Sequence, residues 1–328
     1  MTAGRARATA VTAESLTEAG RLIRAGRLVA FPTETVYGLG ANAREGEAVA
    51  RIFEAKGRPR FNPLIAHVAS LEDALALGNF SAEAQLLAEA FWPGPLTLVL
   101  SRREDAGLSD LVTAGLPTVA LRVPSHDIAR ELIREAGVPI AAPSANISGR
   151  VSATRAEHVA ADFGGDVAMI LDGGPSAAGL ESTIVALGDG QAKLLRAGAV
   201  AAEDIERVLG QPLLRMGAAA RIQAPGMMQS HYAPRALLRL DIDTPRSGEA
   251  LLAFGPHVPF GPHMSVDMPA LNLSHAGNLR EAAANLFAHL RALDASGAAI
   301  IAVMPIPQTG LGEAINDRLR RAAAPRPE

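Results

Sequence analysis

Several short polar segments follow apolar runs, where strand ends bring side chains within reach of a ligand. Lys56-Gly57-Arg58-Pro59, then Asn62-Pro63, place two cations and an amide in one rigid loop. Lysine offers a point charge and arginine a bidentate fork, which together suit a polyphosphate. A solvated helix end is the plainer alternative. Their loop setting leads to the expectation that both charges are exposed and contribute little to stability. Pro143-Ser144-Ala145-Asn146-Ile147-Ser148-Gly149 supplies hydroxyls, an amide and backbone N–H groups for a phosphate-binding concavity. A nucleophilic serine is the rival there, and it would want an adjacent base that the sequence does not show.

Arg122 lies inside the apolar strand Val119-Ala120-Leu121-Arg122-Val123 and so needs an anionic or carbonyl partner. An internal salt bridge and a substrate carboxylate both remain open. Pro32-Thr33-Glu34-Thr35-Val36-Tyr37-Gly38 reads as either a ligand-binding loop or an ordinary turn and helix cap. Gly179-Leu180-Glu181-Ser182-Thr183 adds a hydroxyl pair, and Leu195-Arg196-Ala197-Gly198 another arginine. Pro225-Gly226-Met227 and His231-Tyr232-Ala233-Pro234 put polar aromatics in a linker. The groups together describe a pocket rich in cations and hydroxyls, without a metal cage or an acid/base dyad. Such a site works by charge stabilisation and positioning, as nucleotidyl transfer requires.

Other motifs lead nowhere. Gly38-Leu39-Gly40-Ala41-Asn42-Ala43 matches a dinucleotide fingerprint, but Pro32 to Tyr37 separate it from the strand and no acid follows some 20 residues on. No phosphate-binding G-x-x-x-x-G-K-[ST] and no G-x-S-x-G occurs, and the eight histidines are scattered.

The elements that must position these groups alternate. Helical spacing marks Leu16 to Ile23, Glu47 to Ala55, Leu71 to Leu77, Ala82 to Phe91, Asp127 to Ala136 and Arg155 to Phe163. Apolar runs predict strands at Leu28 to Phe31, Leu64 to Val68, Thr97 to Leu100, Thr118 to Val123, Ile140 to Ala142, Ala168 to Leu171 and Ser182 to Leu187. This is an α/β pattern with a mixed, twisted sheet. Proline and glycine then break the pattern, giving a division into residues 1–210, an ordered linker or lid at 211–235, and a small domain at 236–328. The last is expected to be Rossmann-like, running strand, strand, helix, strand, helix.

A length of 328 residues accommodates two cores. The net charge of −3 argues against bulk electrostatic binding of nucleic acid or membrane, and no segment is apolar enough to span one. The absence of cysteine excludes disulfides and Cys-based metal sites and fits a reducing cytoplasm. The Arg-bearing start lacks a signal peptide's apolar core and is expected to fray.

PTETVYGLG, KGRP with NPL, WPGPLTLVL, LRVP, APSANISG, GLESTIV and PGM-x3-HYAP, in this order, resemble the two-domain threonylcarbamoyl-AMP synthase family. The resemblance implies a YrdC-like catalytic domain that joins L-threonine, bicarbonate (or CO2) and ATP into threonylcarbamoyl-AMP and pyrophosphate. The product would feed the tRNA threonylcarbamoyl transferase machinery, with direct tRNA binding not required. By similarity, Lys56, Arg58, Asn62, Thr118, Ser144, Asn146, Ser152, Arg196 and Tyr232 hold ATP, Lys56 and Arg58 acting in catalysis. Thr35, His67, Arg122, the backbone of Ala142 and Ser182 would hold threonine. Mg2+ would arrive with ATP, with no metal site of the protein's own. A non-catalytic tRNA or double-stranded RNA-binding module is the alternative. The chain departs from the family in Ser152-Ala153-Thr154 and Arg196-Ala197-Gly198, each lacking a stiffening proline, and in Met228-Gln229-Ser230, which lack basic residues.

Overall fold

The structure, a computed structural model, describes residues 8–188, 190–215, 225, 231–257 and 268–325. The chain opens with β1 (Ala8–Ala10), α1 (Ala13–Arg24), β2 (Val29–Phe31), β3 (Gly38–Asn42), α2 (Gly46–Lys56) and β4 (Ile65–His67). Next come α3 (Leu71–Leu75), α4 (Ala82–Phe91), β5 (Leu96–Ser101), α5 (Asp110–Thr113), β6 (Thr118–Arg122) and α6 (Asp127–Ala136). Then follow β7 (Ile140–Ala141), α7 (Ala156–Phe163), β8 (Met169–Asp172), β9 (Thr183–Ala186), β10 (Lys193–Arg196), α8 (Ala202–Leu209) and β11 (Leu214–Arg215). These strands form one mixed sheet in the order β1-β8-β2-β3-β7-β4-β6-β5-β9-β10-β11.

The sheet is covered on both faces. Along β2, Val29 and Phe31 join one apolar cluster with α1 and α6, while Ala30 joins the larger cluster on the opposite face. Thr12 and Ser15 close a reciprocal cap on α1, each accepting from the other's backbone N–H. Gly57 ends α2 in the left-handed conformation (φ 60°), and this turn leaves Lys56 and Arg58 on either side of it.

One expectation for this part needs correction, and strand β3 is not among those expected. The chain start does not fray throughout, since Ala8–Ala10 pair in parallel with β8. The glycine run from Gly38, to which the sequence pattern assigns no element, is buried strand β3, antiparallel to β2. A Cβ on Gly40 would stand 2.8 Å from both Ile140 and Phe31, so the glycine is there for close packing.

A smaller α/β unit follows: β12 (Leu237–Arg239), β13 (Ala250–Ala253), β14 (Ala270–Asn272), α9 (Leu279–Ala295), β15 (Ile300–Val303) and α10 (Leu311–Ala323). Its sheet is all parallel, in the order β12-β15-β13-β14. Strand β14 is absent from the sequence expectation because its three residues carry no long apolar run and lie half exposed at the edge. The core of this unit includes Val151 together with Val36, Leu180 and Tyr232, three residues from the polar segments singled out above. The expected lid falls mostly outside the described residues, Gly226, Met227 and Met228-Gln229-Ser230 included. Residues 214–215 within it pair as β11 with β10.

Candidate active site

Strands β4 and β6 run parallel with His67 beside Arg122, so the two side chains share one face. Arg122 is buried, at 3% exposure. It donates through Nη1 to Thr35 Oγ1 (2.9 Å) and through Nε to the Gly94 carbonyl (3.2 Å), and its Nη2 pairs with Glu34 Oε1 at 2.7 Å. The internal ion pair is therefore real, and the arginine still faces a cavity. Burial opposes ionisation of Glu34, but the Arg122 charge outweighs it and holds the carboxyl below its usual range. Burial, reinforced by Arg122, pulls the His67 pKa down to about 3, so the ring is neutral. Ser182 shares a 2.7 Å hydrogen bond with Thr97 on the neighbouring wall.

The second wall carries the other cations. Lys56 and Arg58 are 2% and 7% exposed, which corrects the expectation of exposed loop charges. Lys56 sits in the last turn of α2, and its Nζ donates to the carbonyls of Ser144 (2.6 Å) and Asn146. Burial, with Arg58 beside it, lowers the Lys56 pKa. Arg58 donates to the Pro63 carbonyl (3.0 Å) and is drawn to about 10 by burial. Arg196 grips the Ser182 carbonyl through Nε (3.1 Å) and Nη2 (3.0 Å) and the Pro225 carbonyl through Nη1 (3.2 Å). These cations donate to neutral carbonyls. Among the described residues, the one carboxylate lining the cavity beside them, Glu181, is itself paired with Arg318, which leaves the wall prepared for an anion.

The smaller unit closes the back of the cavity. Tyr232, in the left-handed region at φ 63°, stacks on Phe287 of α9 at 5.6 Å. Arg318 of α10 lies 5.0 Å over the same tyrosine ring and donates through Nε to Glu181 Oε2 (2.8 Å). Glu181 Oε1 accepts from Ser152 Oγ (2.5 Å). Burial opposes the charges of both Glu181 and Arg318, and their mutual attraction keeps both ionised. From α9, Arg291 donates to the carbonyls of Val151 (2.6 Å) and Ser152 (3.2 Å).

Two family models match the chain. One, described as telomere recombination (Sua5_yciO_yrdC), covers residues 21–198; the other, threonylcarbamoyl-AMP synthase C-terminal domain, covers residues 200–324. The threonylcarbamoyl-AMP synthase of Pyrococcus abyssi is 45% identical, over 93% of each chain. The chain belongs to the threonylcarbamoyl-AMP synthase family. The Bacillus subtilis member is 43% identical over 95% of this chain and 93% of its own. The crystal structure of P. abyssi Sua5 complexed with L-threonine superimposes with a TM-score of 0.86 at 41% identity, covering 95% of each chain.

Within this family fold, the cavity gathers Thr35, His67, Arg122, Ala142 and Ser182 on one side. Arg58, Ser144, Arg196 and Tyr232 line the rest. Lys56 and Asn146 stand directly behind the Ser144 wall, and Asn146 Oδ1 is buried with no hydrogen-bond partner among the described residues. Ser152 is fully buried against Glu181, and Asn62 is buried beneath Arg58. Thr118 lies outside this lining, half-buried at the opposite end of β6 from Arg122.

Sequence reasoning assigned no role to Glu34, Glu181, His231 or Arg318. A signal for Arg318 was present: Ala314, Ile315, Arg318, Leu319 and Ala322 recur at helical spacing, and all are buried. An arginine on that face needs an anion, and Glu181 in its apolar and small-residue setting was the matching half.

Proposed function

We propose that this protein is an L-threonylcarbamoyladenylate synthase, converting L-threonine, bicarbonate (or CO2) and ATP into threonylcarbamoyl-AMP and pyrophosphate. The observation that carries this reading is one cavity with a carboxylate fork, Arg122, facing a cluster of buried cations, Arg58 and Arg196, with Lys56 behind. The P. abyssi structure bound to L-threonine supports the threonine side.

Arg122 takes the threonine carboxylate, with Thr35, Ser182, His67 and the Ala142 backbone around the remaining polar groups. Neutral His67 does not compete with the substrate amine for a proton. The amine attacks CO2 and loses a proton, giving an N-carboxylate. That carboxylate attacks the α-phosphorus of ATP, the α-phosphorus–oxygen bond to the leaving group breaks, and pyrophosphate departs with its electron pair. Both partners in the second step are anionic, so Lys56, Arg58 and Arg196 lower the barrier by offsetting charge. Ser144, Asn146, Asn62, Ser152 and Tyr232 complete the nucleotide site, while Thr118, at the far end of β6, is given no contact within this cavity. Mg2+ fits as a passenger on ATP, because Glu34 and Glu181 are already paired with arginines; bound there, it would neutralise phosphate charge.

Only about 40 Å³ of the cavity is open, far below the roughly 300 Å³ or more of a typical ligand site, so the cavity must widen to admit ATP. Closed again, it would keep water from the labile carbamate and adenylate. No described helix is long and apolar enough to cross a membrane, and we place the reaction in the cytoplasm, where the product supplies tRNA threonylcarbamoyl transfer. Mass spectrometry after mixing the three substrates tests this reading. Adenylate and pyrophosphate should appear only when all three are present, and release independent of threonine would sink it.

A further inference from the structure

Glu181 is an odd neighbour for a nucleotide. Its carboxylate lines the same cavity as Arg58 and Arg196, where the triphosphate of ATP is placed. A bare carboxylate there would repel that ligand. Both of its oxygens, however, are engaged from behind: Oε1 by Ser152 Oγ (2.5 Å) and Oε2 by Arg318 Nε (2.8 Å). Arg318 does not line the cavity and is fully buried. It comes from α10 of the smaller unit, and its remaining nitrogens are fixed on the Ala197 carbonyl (2.9 Å) and Asp317 Oδ2 (2.7 Å).

We propose that Arg318 is a positioning residue of the nucleotide site, the fixed counter-charge through which the smaller unit neutralises Glu181 and permits ATP to bind. The inference rests on the ATP-dependent reading above. Three features of the seam support it. The guanidinium is clamped at four points (Glu181, Ala197, Asp317 and the Tyr232 ring), so it cannot swing into the cavity and serve as a phosphate ligand itself. Ser152, the other partner of Glu181, is also held through its carbonyl by Arg291 of α9. Leu180, the residue before Glu181, is packed in the core of the smaller unit. The segment that carries Glu181 is thus set by α9 and α10, and a small domain without substrate contacts acquires a defined electrostatic task.

Calorimetric titration of the full chain with MgATP and, separately, with L-threonine tests this. Arg318→Met should weaken ATP binding at least tenfold and threonine binding less than threefold. Arg318→Lys, which keeps the charge, should return ATP affinity to within threefold of the unsubstituted chain. In Arg318→Met/Glu181→Gln the repelling carboxylate is gone, and most of the ATP affinity should return. ATP affinity within threefold in Arg318→Met, or a double variant as weak as the single one, overturns the proposal. Should Arg318→Met not fold, the double variant decides alone, and a tenfold loss of ATP affinity there overturns it. An unsubstituted chain that binds no ATP would instead sink the synthase reading itself.

Discussion

Arg122 pairs with Glu34 at 2.7 Å while the same guanidinium donates to Thr35 Oγ1 and the Gly94 carbonyl. A guanidinium has five N–H donors; here one on Nε and one on Nη1 are engaged and Nη2 faces Glu34 as an ion-pair partner, which leaves donors for a substrate carboxylate. Glu34 thereby orients the fork without consuming it.

Arg122→Lys should consequently keep the fold and lose threonine. Lysine retains a charge beside Glu34 but has no second donor in the plane of the fork. A charge-assisted hydrogen bond is worth about 1.5–3 kcal/mol, so KM for threonine should rise roughly 10- to 150-fold. KM for ATP should change little. Steady-state pyrophosphate release with each substrate varied separates the two, and an unchanged threonine KM would refute the assignment.

Lys56 is expected to carry both stability and turnover. Lys56→Met preserves length but leaves the Ser144 and Asn146 carbonyls without their donor in a buried wall. That should cost about 1–3 kcal/mol of stability. Losing the charge beside the phosphates should lower kcat by roughly 100-fold or more. Urea unfolding and single-turnover kinetics read the two effects. Full stability with lost turnover would return Lys56 to the exposed-loop description.

His67 makes stability depend on acid. Its pKa is about 3 in the fold, against 6.5 for the free side chain, with burial the main cause and Arg122 the second. Above pH 6.5 both states are neutral there and the group's contribution is fully present. Between pH 6.5 and 3 the unfolded chain takes up the proton and the folded one does not. Stability then falls by about 1.4 kcal/mol per pH unit on account of this residue. His158, lowered to about 4, acts in the same direction, so the acid limb does not belong to His67 alone. His67→Gln should make that limb shallower by about one proton. Urea unfolding at pH 7, 5.5 and 4.5 checks this, and parallel limbs would contradict it.

Much of the larger unit was legible because its signals are local. Helices α4 and α6 show 3.6-residue periodicity and are closed by Ser81 and Gly137. The polar segments after apolar strands did converge on one cavity. Burial of Lys56 was not legible, because it depends on Ser144 and Asn146 arriving across the fold, 88 and 90 residues away. The same holds for Glu181 and Arg318, separated by 137 residues. Strand β3 was hidden by its glycines, whose reason is the approach of Phe31 and Ile140. Long-range partners decide such features, and no window of sequence contains both halves.

Gly179 measures how tightly the smaller unit must seat against the cavity. It precedes Leu180 and Glu181, has φ +67°, and a Cβ there would fall 2.4 Å from the Ala283 carbonyl oxygen and 2.5 Å from Ala284 Cα. Those are backbone atoms of α9 and cannot swing aside, so Gly179→Ala must push the helix away from the segment. Gly210 is a matched control, with φ +68° and nothing within 4 Å of the added carbon. Gly210→Ala should cost about 1 kcal/mol for backbone strain alone. Gly179→Ala should cost at least about 2–3 kcal/mol, as overpacking does, and should weaken ATP along with it, because Arg291 and Arg318 move with their helices. Urea unfolding and ATP titration of both variants compare them directly. Equal costs in the two, with ATP affinity intact in Gly179→Ala, would show that close seating of the smaller unit does not matter to the nucleotide site.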